Sequence, residues 1–179
     1  MIMGVISDSH DNLQALRETL QRLLEERVDL VVHLGDIISP FTVKFMKNIL
    51  RDIKVVAIRG NNDGDVFQVS SLFSQYGWVF KPEPSIIEVA GRRVLLVHGY
   101  GGVEDTLTLI NALAKSLDVD LVLYGHTHKA TVDRVEGKIV LNPGEVCGYL
   151  TGRVSYAVVD LETLRAEIEF LGGGEYWSE

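Results

Sequence analysis

Residues 1–24, MIMGVISDSHDNLQALRETLQRLL, carry the pattern that decides the fold class. The apolar run from Met1 to Ile6 is too brief for a helix and stops at Ser7, whereas Leu13, Leu16, Leu20, Leu23 and Leu24 recur at helical spacing after Asp11. The reading is strand, polar loop, helix. The same order then repeats. Val28 to Leu34 is a second apolar run, ending at Gly35-Asp36; Pro40 opens a helix carrying Phe41, Phe45, Ile49 and Leu50; Val55 to Ile58 is a third run, ending at Gly60-Asn61. Apolar strands alternating with helices predict right-handed βαβ units around a largely parallel sheet, an α/β fold.

The second half changes character. After a helix predicted near Asp65 to Tyr76 come shorter strands, Ser85 to Val89 and Val94 to Val97, joined as a hairpin through Ala90-Gly91-Arg92-Arg93. A helix from Val103 to Leu117 and a buried strand from Leu121 to Tyr124 follow, and a second hairpin pairs Thr131–Val135 with Lys138–Leu141 across Glu136-Gly137. Ser155 to Asp160 and Leu164 to Phe170 are the last strands. With no internal repeat or interdomain linker, residues 1–171 are expected to form a single domain, and residues 172–179, opening on Gly172-Gly173-Gly174, a loose tail.

Composition bounds the function. A chain of 179 residues is long enough to bury one real core. Its 46% hydrophobic and 23% charged residues, with no stretch near the roughly 18 apolar residues of a membrane span, predict a soluble protein. The net charge of −8 argues against nucleic-acid or anionic-membrane partners, which draw affinity from clustered Lys and Arg. Small anionic substrates stay open, because a bound metal sets its own local electrostatics. The single cysteine, Cys147, cannot form an internal disulfide and lies in no catalytic signature, so it reads as a small buried hydrophobe. Without a basic n-region and cleavage site at the N-terminus, a cytoplasmic location is expected, and homo-oligomerisation is left open.

The residues best suited to metal binding gather just beyond strand ends. Asp8 and His10 follow the first strand, Asp36 the second, Asn61 the third, His98 a later one, and His126 with His128 the strand ending at Tyr124. In open α/β sheets ligands bind outside the carboxyl ends of the strands, so these loops should converge. In extended backbone residues i and i+2 share a side, which pairs Asp8 with His10 and His126 with His128, and Gly125 should permit the tight path into the second pair. Four imidazoles, two carboxylates and an amide oxygen suit manganese first, with nickel, cobalt, iron or zinc as alternatives. Seven side chains exceed one tetrahedral ion and suit two divalent ions sharing a ligand, for which Asp36 has two oxygens.

Each motif alone has a plainer reading. Asp8-Ser9-His10 is ordinary as a polar loop, and Gly35-Asp36 or Gly60-Asn61-Asn62-Asp63 as a turn. Order, and placement after successive strands, carries the argument. Asp11 reads first as a helix cap within Asp11-Asn12-Leu13-Gln14, while Asn12, at the positive end of that helix, is a candidate contact to a substrate phosphate. His33, inside a buried strand, is expected to be packed or hydrogen bonded.

Together with His98-Gly99 and Gly125-His126-Thr127-His128, these motifs resemble the calcineurin-like metallophosphoesterase superfamily. Asp11-Asn12 and Asn142-Pro143-Gly144 make the chain similar to its small prokaryotic phosphodiesterase branch. The resemblance implies a four-layer αββα sandwich of two mixed β-sheets flanked by helices. It also implies one ion held by Asp8, His10, Asp36 and His128 and another by Asp36, Asn61, His98 and His126, with Asp36 as the bridge. A hydroxide held between the ions would hydrolyse a small phosphodiester, with Asp36, Asn61 and His98 at the catalytic centre. One position departs from the pattern. Members acting on phosphoproteins carry Gly-Asn-His-Glu where this chain has Gly60-Asn61-Asn62-Asp63, and Asn62 cannot protonate a leaving group as that histidine would. This points to substrates with acidic leaving groups, or to protonation by water or His98, and leaves Asn62 as a substrate contact. The same fold also resembles the phosphoesterase-like subunit of retromer, a protein-interaction platform; Tyr149 and Trp177 are the apolar residues that would mark such a surface.

Overall fold

The structure, a computed structural model, describes residues 1–172. The elements are β1 (Ile2–Ile6), α1 (Leu13–Glu25), β2 (Leu30–His33), α2 (Pro40–Leu50), β3 (Lys54–Ile58), α3 (Val66–Gln75) and β4 (Val79–Lys81). There follow β5 (Ser85–Val89), β6 (Arg92–Val97), α4 (Val103–Ser116), β7 (Leu121–Tyr124), β8 (Thr131–Val135), β9 (Lys138–Asn142), β10 (Ser155–Asp160) and β11 (Arg165–Phe170). The sequence reading lacked only β4, whose three residues are too few to display an alternation. Of the predicted tail, all beyond Gly172 lies outside the described residues, Trp177 included.

Two mixed sheets result. One runs β11-β10-β1-β2-β3-β4, with β1 to β4 mutually parallel and β10 and β11 antiparallel; the other runs β5-β6-β7-β9-β8, with β6, β7 and β9 parallel. Period-two alternation sorts their side chains into layers. Met3, Val5, Val32 and Ile58 of the first sheet meet Val94, Leu96, Leu121, Leu123 and Leu141 of the second. On the far side of the first sheet, Val31, Val55 and Ala57 pack against Leu16, Leu20 and Leu23 of α1, Met46 of α2 and Phe73 of α3. Leu95, Val97, Val122 and Tyr124 meet Ile110 and Ala114 of α4 on the far side of the second. Helices, sheet, sheet and helix form the expected four-layer sandwich.

Both hairpins close through two residues at positive φ, Ala90-Gly91 (49° and 75°) and Glu136-Gly137 (50° and 84°), the twist that suits a tight β-turn. The first turn is therefore two residues shorter than expected, and Arg92 and Arg93 belong to β6. The cap of α1 also differs from expectation. Asn12 caps it, its Oδ1 accepting from Ala15 N at 3.2 Å, while Asp11 Oδ1 accepts from Ser39 Oγ at 3.0 Å and from Thr42 Oγ1, tying the loop after β1 to α2.

Candidate metal centre

The loops after β1, β2, β3, β6 and β7 are laced together at one edge of the sandwich. Asp8 N donates to Gly35 O at 3.1 Å, His10 N to Asp36 O at 3.0 Å, Gly125 N to His98 O at 3.0 Å and His126 N to Asp8 Oδ2 at 3.1 Å. The pairs at i and i+2 converge, though by a different route from the extended backbone expected. Asp8, His10, Asp36, His126 and His128 all have positive φ, from 43° to 66°, in the left-handed region that L-residues rarely adopt. Gly125 is needed for space. A Cβ there would stand 2.2 Å from Ser7 Oγ and 3.1 Å from Asp8 Oδ2.

All seven side chains predicted from the sequence come together. Asp36 Oδ2 lies 3.4 Å from His10 Nε2 and 3.5 Å from His98 Nε2, between two groups of donors. On one side, Asp8 Oδ1 is 3.4 Å from His128 Nε2 and 3.8 Å from His10 Nε2. On the other, Asn61 Oδ1 is 2.9 Å from both His98 Nε2 and His126 Nδ1. Asp8 Oδ1 and His10 Nε2 are buried with no hydrogen-bond partner among the described residues, a costly state for polar atoms. Asp8, His10 and Asp36 each offer a ligand atom within 4.8 Å of the others, close enough to share one cation, whereas His126 joins the other side through Asn61.

Neighbouring groups fix which ring nitrogen faces inward. His98 Nδ1–H donates to Leu34 O at 2.7 Å, leaving Nε2 toward Asp36 and Asn61. His126 Nε2–H donates to Gly101 O at 2.8 Å, leaving Nδ1 toward Asn61. His128 Nδ1–H donates to Glu145 Oε2 at 2.6 Å, leaving Nε2 toward Asp8. Glu145 is fully buried, and sequence reasoning missed it. It sits two residues beyond Pro143 in Asn142-Pro143-Gly144, and no spacing ties it to a histidine seventeen positions away. Asp63 braces the other side: its carboxylate accepts from the backbone N–H of Gly60, Asp36 and Ile38 at 2.7, 3.2 and 2.8 Å. Asn142 Nδ2 holds the Gly125–His128 loop through Gly125 O and Thr127 Oγ1, both at 2.9 Å.

Electrostatics favour cations. Burial raises the Asp8 carboxyl, but the surrounding His10, His98 and His128 imidazoles outweigh it and hold it below its ordinary value. Burial likewise opposes ionisation of Asp36, yet His98 and two N–H groups of Asn62 keep it well below the usual carboxylate range. His98 is pushed down by burial but raised further, to about 9, by Asp36 and Asp8. His128 is likewise pushed down by burial but raised overall by Glu145 and Asp8, so the neighbouring ionised carboxylates hold protons on both His98 and His128.

This donor set, on a two-sheet sandwich and in this chain order, matches a sequence family. The calcineurin-like phosphoesterase superfamily domain aligns with residues 1–164. The chain belongs to that superfamily. A phosphodiesterase of Methanocaldococcus jannaschii is 32% identical over 168 residues, covering 90% of this chain and 94% of that one. The solved structure of an archaeal phosphodiesterase superposes with a TM-score of 0.86 at 29% identity, covering 96% of this chain and all of the other. Vacuolar protein sorting-associated protein 29 of Schizosaccharomyces pombe is 26% identical over 152 residues, covering 83% of this chain and 73% of that protein.

Within this superfamily member the remaining predicted residues divide. Asn62 faces the centre: its N and Nδ2 donate to Asp36 Oδ1 and Oδ2, each at 2.8 Å, so it orients the shared carboxylate. Asn12 also has a structural role. Besides capping α1 it uses one of its two Nδ2 hydrogens to donate to Cys147 O at 2.9 Å, which leaves the other. His33 is buried, accepts from Gly35 N at Nδ1 and pairs Nε2 with Ser9 Oγ at 3.0 Å; burial lowers it to about 4, so it stays neutral. Cys147 is buried, its thiol donating to Glu145 Oε2 at 3.1 Å, and burial pushes its ionisation far above neutrality, which removes it as a nucleophile.

Proposed function

We propose that the chain is a dinuclear metal-dependent phosphodiesterase whose residues 1–171 act as one domain. The observation that carries this reading is Asp36 Oδ2, placed 3.4 Å from His10 Nε2 and 3.5 Å from His98 Nε2. Asp8, His10, Asp36 and His128 would hold one divalent ion, and Asp36, Asn61, His98 and His126 the other, with manganese first among candidates for these nitrogen and oxygen donors. When bound, such ions supply Lewis acidity toward phosphoryl oxygens and lower the pKa of water.

The chain's own residues supply orientation and charge. Glu145, Leu34 O and Gly101 O fix the histidine tautomers, and Asn62 holds the Asp36 carboxylate with both oxygens engaged. With an amide where a proton donor would stand, the site favours esters whose leaving group departs without one. The relatedness to a phosphodiesterase supports the same choice. Among the described residues no helix is long and apolar enough to cross a membrane, and the proposed setting is the cytoplasm with a small phosphodiester as substrate.

The test is metal analysis of the purified protein beside turnover of a chromogenic phosphodiester, with and without chelator, on wild type and Asp36→Asn. About two ions per chain and chelator-sensitive turnover are expected, with Asp36→Asn losing metal and about a thousandfold or more in rate. Turnover that survives chelation and the substitution overturns the reading. Protein that neither binds metal nor turns over instead favours an interaction scaffold, the role that similarity to vacuolar protein sorting-associated protein 29 raises.

A further inference from the structure

Beside the proposed centre, a pocket of about 190 Å³ is lined by His10, Asn62, His128, Tyr149 and Leu150. Three of these belong to the centre, and the other two form an apolar lip. Leu150 is 74% exposed and Tyr149 37% exposed, and the Tyr149 ring centroid lies 6.4 Å from that of His10. What distinguishes Leu150 from a singly exposed apolar residue is its place with Tyr149 in the lining of one pocket that also contains His10 and His128.

The lip is anchored to the same group as the centre. Glu145 Oε1 accepts from Leu150 N at 3.0 Å, from Thr151 N at 2.6 Å and from Thr151 Oγ1 at 2.7 Å, while its Oε2 accepts from His128 Nδ1. Gly148, at φ 68°, turns the chain into the lip, and Gly152 N closes it on Gly148 O at 3.1 Å. One buried carboxylate therefore sets the position of both a proposed metal ligand and the two side chains beside it. Such preorganisation spares a ligand the ordering of the loop.

We infer that Tyr149 and Leu150 form a specificity lip that takes a planar aromatic arm of the phosphoester, a nucleobase or aryl group. The pocket lining carries no Lys or Arg for a second anionic group and no carboxylate to repel a π-face, and its volume accommodates one aromatic ring system. Stacking on an aromatic side chain is sequence-tolerant and contributes enough to change affinity about tenfold. The inference rests on the phosphodiesterase reading for the location of the phosphoryl group.

Two phosphonates, whose P–C bonds a phosphoesterase does not cleave, separate the two readings. Binding of phenylphosphonate and methylphosphonate to manganese-loaded protein is measured by titration calorimetry on wild type, Tyr149→Phe and the double variant Tyr149→Ala/Leu150→Ala. The expected result is that wild type and Tyr149→Phe prefer the phenyl compound about tenfold, and that the double variant brings the ratio of dissociation constants close to one. Equal affinities in wild type, or an undiminished ratio in the double variant, overturn the lip and leave the phosphoryl site standing. If neither compound binds manganese-loaded wild type that turns over a chromogenic phosphodiester, the lip falls and the phosphodiesterase reading stands; without that turnover the phosphodiesterase reading falls as well.

Discussion

Replacing Glu145 by Gln changes one atom and reverses the logic of a buried carboxylate. All its partners donate: His128 Nδ1 and Cys147 Sγ to Oε2, Thr151 N and Oγ1 to Oε1, with Leu150 N reaching both oxygens. The amide NH2 of Gln must face donors on one side. If it faces His128, the ring is driven to the other tautomer and Nε2 no longer offers a lone pair toward Asp8. Loss of such a partner typically lowers metal affinity 10- to 100-fold, about 1.4–2.7 kcal/mol. Stability falls as well. Although burial opposes it, the hydrogen bonds of His128 and Thr151 bring the Glu145 carboxyl down from 4.5 to about 2, which corresponds to roughly 3 kcal/mol favouring the charged native form. Because the folded value is the lower one, this contribution is complete above about pH 4.5 and is lost as pH falls through about 2. Manganese titration by calorimetry and urea unfolding of the metal-free protein at pH 7 read the two effects. A Glu145→Gln protein with wild-type affinity and wild-type unfolding would refute the claim that this carboxylate orients His128.

Three further outcomes follow from the geometry. Gly125→Ala places a methyl 2.2 Å from buried Ser7 Oγ, so denaturant unfolding should show a loss of about 2–3 kcal/mol together with reduced metal content; an unchanged midpoint would mean the loop yields freely. Metal uptake must displace protons from His98, raised to about 9 by Asp36 and Asp8, and from His128, raised by Glu145 and Asp8, in each case against burial; affinity should therefore climb from about pH 6 to 9, with proton release seen as a buffer-dependent heat, and a flat profile would contradict it. Asn62→His restores a proton donor beside Asp36, so turnover of an alkyl diester should rise about tenfold or more relative to that of a 4-nitrophenyl diester, whereas an unchanged ratio would remove protonation as the factor limiting substrate choice.

Much of this arrangement is legible in the linear chain, for identifiable reasons. β1, β2 and β3 are continuous apolar runs because both their faces are covered, and each run ends where a polar ligand begins. Donors at strand ends must then meet, since parallel strands deliver their carboxyl ends to one edge. What stays hidden depends on contacts between distant segments. Glu145 acquires its role from His128, seventeen residues earlier, and Asp11 is drawn from its local capping position by Ser39 and Thr42 on α2. Asn12 then caps α1 in its place and donates one amide hydrogen to Cys147 O, a structural role that its own position in the sequence does not display. β4 is invisible for another reason: its Val56–Val79 and Ile58–Lys81 pairing with β3 is supplied by the sheet, not by a pattern of its own.

The extended backbone expected at the ligand pairs fails for a reason bearing on the function. Asp8, His10, Asp36, His126 and His128 each occupy the left-handed region, which costs an L-residue on the order of 1–2 kcal/mol. Asp and His tolerate this region better than most L-residues, so these five cost less than that apiece but still require support. The surrounding structure must therefore over-determine them, and it does: His126 N is held by Asp8 Oδ2, Asp8 N by Gly35 O, His10 N by Asp36 O, and Asp36 N by Asp63 Oδ2. Three of these bonds join loops that carry left-handed residues, and the fourth ties Asp36 to the loop after β3, so the loops hold one another in place. A left-handed residue at the end of a strand turns its side chain off the strand axis, which is how the donors of the loops after β1, β2 and β7 come to meet Asn61 and His98 from the loops after β3 and β6. The left-handed backbone and the convergence of the donors are thus one structural fact, and a bound cation would take the place of the protons that His98 and His128 hold there.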